Sequence, residues 1–149
     1  MRFQKVPNTH PDLLPLVREL DAELKITDGE DHAFYNQYNG LDDIQHLLLV
    51  YIENRATACG GFKALNETTA EIKRMYTAVD ARGKGIAKAV LQELEIWAKL
   101  EGFKQLVLET GIRQHAAIAL YESTGYIRME ENYGPYKGLD ESFCFKKEL

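Results

Sequence analysis

The segment from Gly85 to Leu100 leaves this chain the fewest choices. Ile86, Val90, Leu91, Leu94, Trp97 and Ala98 recur at helical spacing, so one side of a helix is apolar along its length and must be covered. Glu101 and Gly102 end it, Gly102 suiting the left-handed position just past a helix. The lead-in, Arg82-Gly83-Lys84-Gly85-Ile86-Ala87, follows a strand pattern from Ala70 to Val79, and a further apolar run at Gln105 to Leu108 comes after the helix. Strand, glycine-rich turn, helix and strand define a βαβ unit and an α/β fold. The turn suits an anion. A helix N-terminus leaves its first N–H groups unpaired and carries partial positive charge. Glycines at 83 and 85 let a ligand approach the backbone, and Arg82 and Lys84 add two cations. A phosphate or pyrophosphate fits that description, and so does a solvated basic turn. Neither GxxxxGK[ST] nor the Rossmann GxGxxG occurs, since position 88 is lysine.

The rest of the chain supplies a mixed sheet. Arg2 to Val6 reads as a strand. Pro11 to Leu24 reads as a helix with Leu13, Leu14, Val17, Leu20 and Leu24 on its apolar side. A polar loop, Thr27 to His32, and a short helix, Ala33 to Tyr38, follow. Leu47 to Ile52, Ala56 to Leu65 and Ala70 to Val79 form an antiparallel meander, turning at Glu53-Asn54-Arg55 and Asn66-Glu67. The third of these strands changes phase: Ala70 and Ile72 are apolar at even positions, Met75 and Val79 at odd ones. A β-bulge near Lys73 to Met75 produces such a slip, because one extra residue flips the facing of everything after it. A helix from Ala116 to Ser123 stops near Gly125. Strands at Tyr126 to Met129 and Ser142 to Lys146 complete the order.

With 149 residues, 45% of them apolar, the expectation is a single domain spanning 1–149 with a core that needs no staples. The net charge of -5 argues against a general nucleic-acid binder. Cys59 and Cys144 lie far apart and no Cys/His ligand spacing occurs, so no metal is expected. Met1 to Val6 lacks the apolar stretch of a signal peptide, and Leu47 to Ile52 is too short to span a bilayer. No membrane partner is expected, and the cytoplasm is the expected location.

The order of elements around the turn, ending in Ala-Leu-Tyr-Glu-Ser-Thr-Gly-Tyr, resembles the GNAT superfamily of acyl-CoA-dependent N-acetyltransferases. Its pyrophosphate motif, Arg/Gln-x-x-Gly-x-Gly/Ala, is matched by Arg82, Gly85 and Ala87. Its Asn-x-x-Ala-x-x-x-Tyr helix and Leu-Tyr-x-x-x-Gly-Phe ending are matched by Ala117, Leu120, Tyr121, Gly125 and Tyr126. Gln114 stands where Asn is usual. The motifs cover residues 47 to 149; the N-terminal part fits by helix pattern alone.

The resemblance implies a GNAT fold: a mixed, mostly antiparallel central sheet flanked by helices, with a bulged fourth strand splayed from the fifth. It implies acetyl-CoA as co-substrate. Backbone groups of Met75, Tyr76 and Thr77 would meet the pantetheine arm, with Gln114 also in reach. The N–H groups of Gly83, Lys84, Gly85, Ile86 and Ala87 would take the pyrophosphate, aided by the charges of Arg82 and Lys84. Tyr121 would face the coenzyme sulfur and protonate the departing thiolate, since a phenol of pKa about 10 still carries its proton at neutral pH. The backbone N–H of Tyr76 is a candidate oxyanion donor. For the base, Glu71 in the fourth strand, Glu109 at the end of the fifth and His115 all stand open. Asp28 and Glu30, with Tyr133 and Tyr136, would contact the acceptor.

The function implied is acetyl transfer to a primary amine of a small molecule by direct attack in a ternary complex, with a homodimer left open. Acetylation of proteins or peptides is an alternative, as is a non-catalytic acyl-CoA sensor. The turn can be tested by itself. Gly85→Glu adds bulk and negative charge there and should abolish acetyl-CoA binding in calorimetry; unchanged affinity would defeat the anion-site reading.

Overall fold

A computed structural model describes residues 1–149. Its elements are β1 (Arg2–Val6), α1 (Leu13–Asp28), α2 (His32–Asn36), β2 (His46–Ile52), β3 (Arg55–Ala64), β4 (Thr69–Thr77), α3 (Ile86–Leu100), β5 (Gln105–Gly111), α4 (His115–Ser123), β6 (Ile127–Arg128) and β7 (Ser142–Glu148). They form one seven-stranded sheet in the order β1-β2-β3-β4-β5-β7-β6. All neighbours run antiparallel except β4 and β5.

Each helix covers the sheet with the side its sequence makes apolar. α3 buries Ile86, Val90, Leu91, Leu94 and Ala98 against Ile72, Leu106, Leu108 and Phe145, with Trp97 at the margin. On the opposite side α1 lays Leu13, Leu16, Val17 and Leu20 over Leu47, Leu49, Cys59 and Tyr76. The sheet is therefore covered on both sides, which explains why β2 is apolar without alternation. No helix is long and apolar enough to cross a membrane.

The phase slip in the fourth strand is a bulge. Gly61 pairs with Lys73 but Cys59 pairs with Tyr76, so β4 spends one more residue than β3 between these points. The extra turn is taken up at Arg74, which adopts a left-handed φ of 59°. Its buried guanidinium is held by the Asp21 carboxylate of α1. The flip sends Met75 to the α3 side, where it fills the space in front of Gly60. A Cβ built on Gly60 would lie 2.5 Å from Met75 Sδ.

Several boundaries differ from the sequence reading. α1 starts at Leu13 and runs to Asp28, so Thr27 and Asp28 are helical and Leu16, not Leu14, joins the core. Pro15 fits because it lies in the first turn, where N–H groups have no helical acceptor. The short helix begins at His32 and ends at Asn36. β4 ends at Thr77, and Val79 is 67% exposed at the start of a 3-10 turn while Ala78 is buried instead. β5 and β7 extend to Gly111 and Glu148 because they pair with each other along their whole length.

Gly61 tolerates no side chain either. A Cβ there would stand 2.6 Å from the carbonyl oxygen of His46 and 2.7 Å from a Leu47 methyl. Because the first of these is backbone in the paired strand β2, the clash cannot be relieved by a rotamer change. Gly61→Ala should lower the unfolding free energy by about 1–3 kcal/mol in urea denaturation; a neutral result would show that β2 and β3 part readily there.

Candidate functional site

β4 and β5 pair only from Thr69–Glu71 against Gln105–Val107. Beyond this point they diverge, since the bulge turns β4 away, and the gap opens a cleft of about 690 Å³. One wall carries Met75, Tyr76 and Thr77 of β4. The other carries Leu108, Glu109, Thr110 and Gly111 of β5, with Gln114 just before α4 and Ala117 and Tyr121 on it. The turn into α3 closes one end.

That turn has the geometry of an anion cradle. Gly83 and Gly85 adopt φ of 79° and 78°, left-handed values that glycine takes without strain, and open space stands beside both. Gly85 caps α3 without any side-chain hydrogen bond. The backbone N–H groups of residues 83–88 donate to no acceptor in the chain. Arg82, Gly83, Gly85, Ile86 and Ala87 border the cleft. Arg82 does more than add charge: its Nε donates to the Thr77 carbonyl at 2.9 Å and its Nη2 to Glu23 at 2.7 Å, tying α1 to the end of β4. Lys84 is exposed and does not border the cleft, whereas Lys88, one turn into the helix, does.

Tyr121 is buried, borders the cleft and has no hydrogen-bond partner for its hydroxyl within the chain. Burial, with the nearby Glu109 charge, pushes its phenol well above the usual range, so it stays protonated and can donate. The Tyr76 side chain points to the α1 side and donates to Glu19 at 3.3 Å, so only its backbone faces the cleft.

Beyond the splay the cleft is polar. Glu71 and Lys73, two residues apart before the bulge, share the α1 side of β4. Glu71 accepts from the Tyr133 hydroxyl and lies 3.8 Å from Lys73 Nζ. Lys73 also donates to the Tyr136 hydroxyl at 3.4 Å, and burial lowers its pKa. Glu109 accepts from Ser142 Oγ at 2.9 Å, and that oxygen shares a 2.7 Å hydrogen bond with the Tyr35 hydroxyl. Burial raises Glu109 to about 7, against the opposing pull of Ser142 and Lys73. A carboxyl titrating there can accept a proton at neutral pH.

The structure thus gathers Glu71, Glu109, Gln114, His115, Tyr121, Asp28 and Tyr136 around one cleft. Tyr133 stands behind Glu71 rather than on the cleft lining, and Glu30 is exposed and away from it. Glu71 is only 4% exposed, so it is no solvated strand charge. Lys73, Tyr35 and Ser142 escaped the sequence reading. Lys73 was detectable as the i+2 neighbour of Glu71. Tyr35 and Ser142 reach Glu109 only through tertiary contacts.

A sheet that splays at a bulge, with a glycine-rich helix start at one end of the gap and a buried tyrosine beside it, defines an acyltransferase of the GNAT class. The model of the acetyltransferase (GNAT) family matches residues 14–126. The chain belongs to this family, whose co-substrate is acetyl-CoA, and is an acyl-CoA-dependent N-acetyltransferase. An IAA acetyltransferase from Azospirillum brasilense is 39% identical over 145 residues, covering 92% of this chain and 90% of the relative. A putative acyl-CoA N-acyltransferase from Klebsiella pneumoniae superposes with a TM-score of 0.84 at 28% identity, covering 99% and 97% of the two chains. A GNAT acetyltransferase from Elizabethkingia anophelis, solved with acetyl-CoA bound, shares the fold at a TM-score of 0.74 and 20% identity, covering 99% and 97%.

The raised pKa of Glu109 has a consequence for folding. A carboxyl whose folded pKa lies above its ordinary 4.5 contributes stability at low pH that is lost as pH rises through about 7. Denaturation at a series of pH values should show Glu109→Gln gaining on the wild type across that window. A constant difference between the two would mean that Glu109 titrates normally.

Proposed function

We propose that the chain acetylates a primary amine of a small molecule by direct attack in a ternary complex, with Tyr121 as general acid and Glu109 as general base. The observation that carries this reading is the shared cleft. Free N–H groups at 83–88, an unpartnered tyrosine hydroxyl and a carboxyl of pKa about 7 all border the gap between β4 and β5.

Acetyl-CoA supplies the activated acyl group as a thioester. The turn from Gly83 to Ala87 holds its pyrophosphate, and the free edge of β4 at Met75, Tyr76 and Thr77 holds the pantetheine arm, with Gln114 opposite. The acceptor arrives as an ammonium. With a pKa of about 10.4 it is neutral in about one molecule per few thousand at pH 7, so it must lose a proton to become a nucleophile. Glu109 takes that proton, directly or through water. Glu71 is the weaker base, because Tyr133 and Lys73 already occupy its oxygens. The backbone N–H of Tyr76 donates to the developing oxyanion, and Tyr121 protonates the sulfur as it leaves. The aromatic side chains of Tyr35 and Tyr136 narrow the acceptor end, and Tyr38 supports Tyr136 edge to face at 5.7 Å. This supports a small acceptor over a polypeptide.

Turnover of acetyl-CoA against a panel of amines and peptides tests the reading. Tyr121→Phe should lower kcat about 100-fold or more while acetyl-CoA binding stays intact. In the wild type kcat should rise with pH through about 7, and Glu109→Gln should remove that limb. Full turnover by Tyr121→Phe would end its role as acid, and an unchanged pH profile in Glu109→Gln would end that of Glu109.

A further inference from the structure

Asp28 has a buried carboxylate that the fold leaves unused. It sits at the last turn of α1, is 8% exposed and borders the cleft. Its side-chain oxygens accept no hydrogen bond and form no ion pair within the chain; the Arg113 contact at 2.9 Å is to its backbone carbonyl. Arg113 is otherwise committed to Asp31, Glu141 and the carbonyl of Thr27. Arg113 and His32 act on the Asp28 carboxylate only at longer range, and burial raises its pKa. With 8% of the residue exposed and no partner in the chain, this carboxylate is poorly compensated, and a bound cation would relieve it.

The position of Asp28 relative to Glu109 limits what that cation can be. Glu109 and Gly111 are two residues apart on β5, so their side-chain directions share one side of the sheet about 7 Å apart. Asp28 Oδ1 lies 3.5 Å from where a Cβ on Gly111 would stand. The cleft therefore presents two carboxyl groups roughly one such step apart. Lys73 acts on Glu109 from a distance, but its ion pair is with Glu71, and it forms none with Glu109 or Asp28. Tyr35 and Tyr136 border the same space, and their ring faces favour cations.

We propose that the acceptor is a short diamine, one nitrogen presented to Glu109 for acetylation and the other, still protonated, bound by Asp28. A chain of five or six single bonds of about 1.5 Å spans the distance in extended form, as in a four- or five-carbon diamine. This rests on the acetyltransfer reading above and adds the class of acceptor to it.

The test uses the intact protein, acetyl-CoA and three acceptors of matched length: 1,5-diaminopentane, pentylamine and 5-aminopentanoate. The diamine should exceed pentylamine in kcat/KM by about tenfold or more, the effect of a charge-assisted hydrogen bond in a partly buried site. In Asp28→Asn that ratio should fall close to one. Equal rates for diamine and monoamine in the wild type would overturn the proposal without any variant. So would preference for 5-aminopentanoate, which would transfer the anchoring role to Lys73, and so would a ratio that survives in Asp28→Asn. Failure to acetylate any amine or peptide, with acetyl-CoA still bound, would overturn the transfer reading itself.

Discussion

The register shift in β4 is the constraint on which the rest of the molecule depends. One extra residue between Lys73 and Tyr76 forces the backbone at Arg74 into a left-handed turn, and the Asp21 carboxylate holds the guanidinium that results. A parallel neighbour cannot follow a strand that bends away, so β4 and β5 remain paired for three residues only. The cleft is the space left between them. The same shift reverses which residues face which layer: Glu71 and Lys73 before it, and Arg74 and Tyr76 after it, all look toward α1.

Around that gap the chain separates two kinds of positive charge. At the α3 end it is the unpaired backbone N–H groups of residues 83–88, with Arg82 and Lys88 beside them. At the other end it is Lys73, set among carboxylates. Burial raises Glu109 and Tyr121 for the same physical reason, since the charged form of each is disfavoured away from water. The outcomes differ because their ordinary values differ. The carboxyl is moved to neutrality, where it can accept a proton, and the phenol is moved further from it, where it can only donate.

Much of this was readable from the residues. The amphipathic pattern from Ile86 to Ala98, the glycines at 83 and 85 and the phase slip near Lys73 are local features, and each leaves a local signature. The linked motifs ending at Tyr126 identify the family for the same reason. The helix and strand ends were less legible. α1 gained a last turn at Thr27–Asp28, and β5 and β7 lengthened, because tertiary pairing extends an element past the point where its own pattern stops. Glu30 and Lys84 carry the right chemistry in the right segments, but they face solvent.

Sequence by itself determined the family, the order of elements and the glycine-rich start of α3, because those depend on neighbours within a few positions. It could not rank Glu71 against Glu109. The surroundings that set the two apart come from Tyr133, Ser142 and Tyr35, which lie 62, 33 and 107 positions from the residues they contact. Nor could it tell Asp28 from Glu30. Only the tertiary structure decided that one is buried at the cleft without a partner and the other is in water, since burial is a property of the packed layers and not of the residue type.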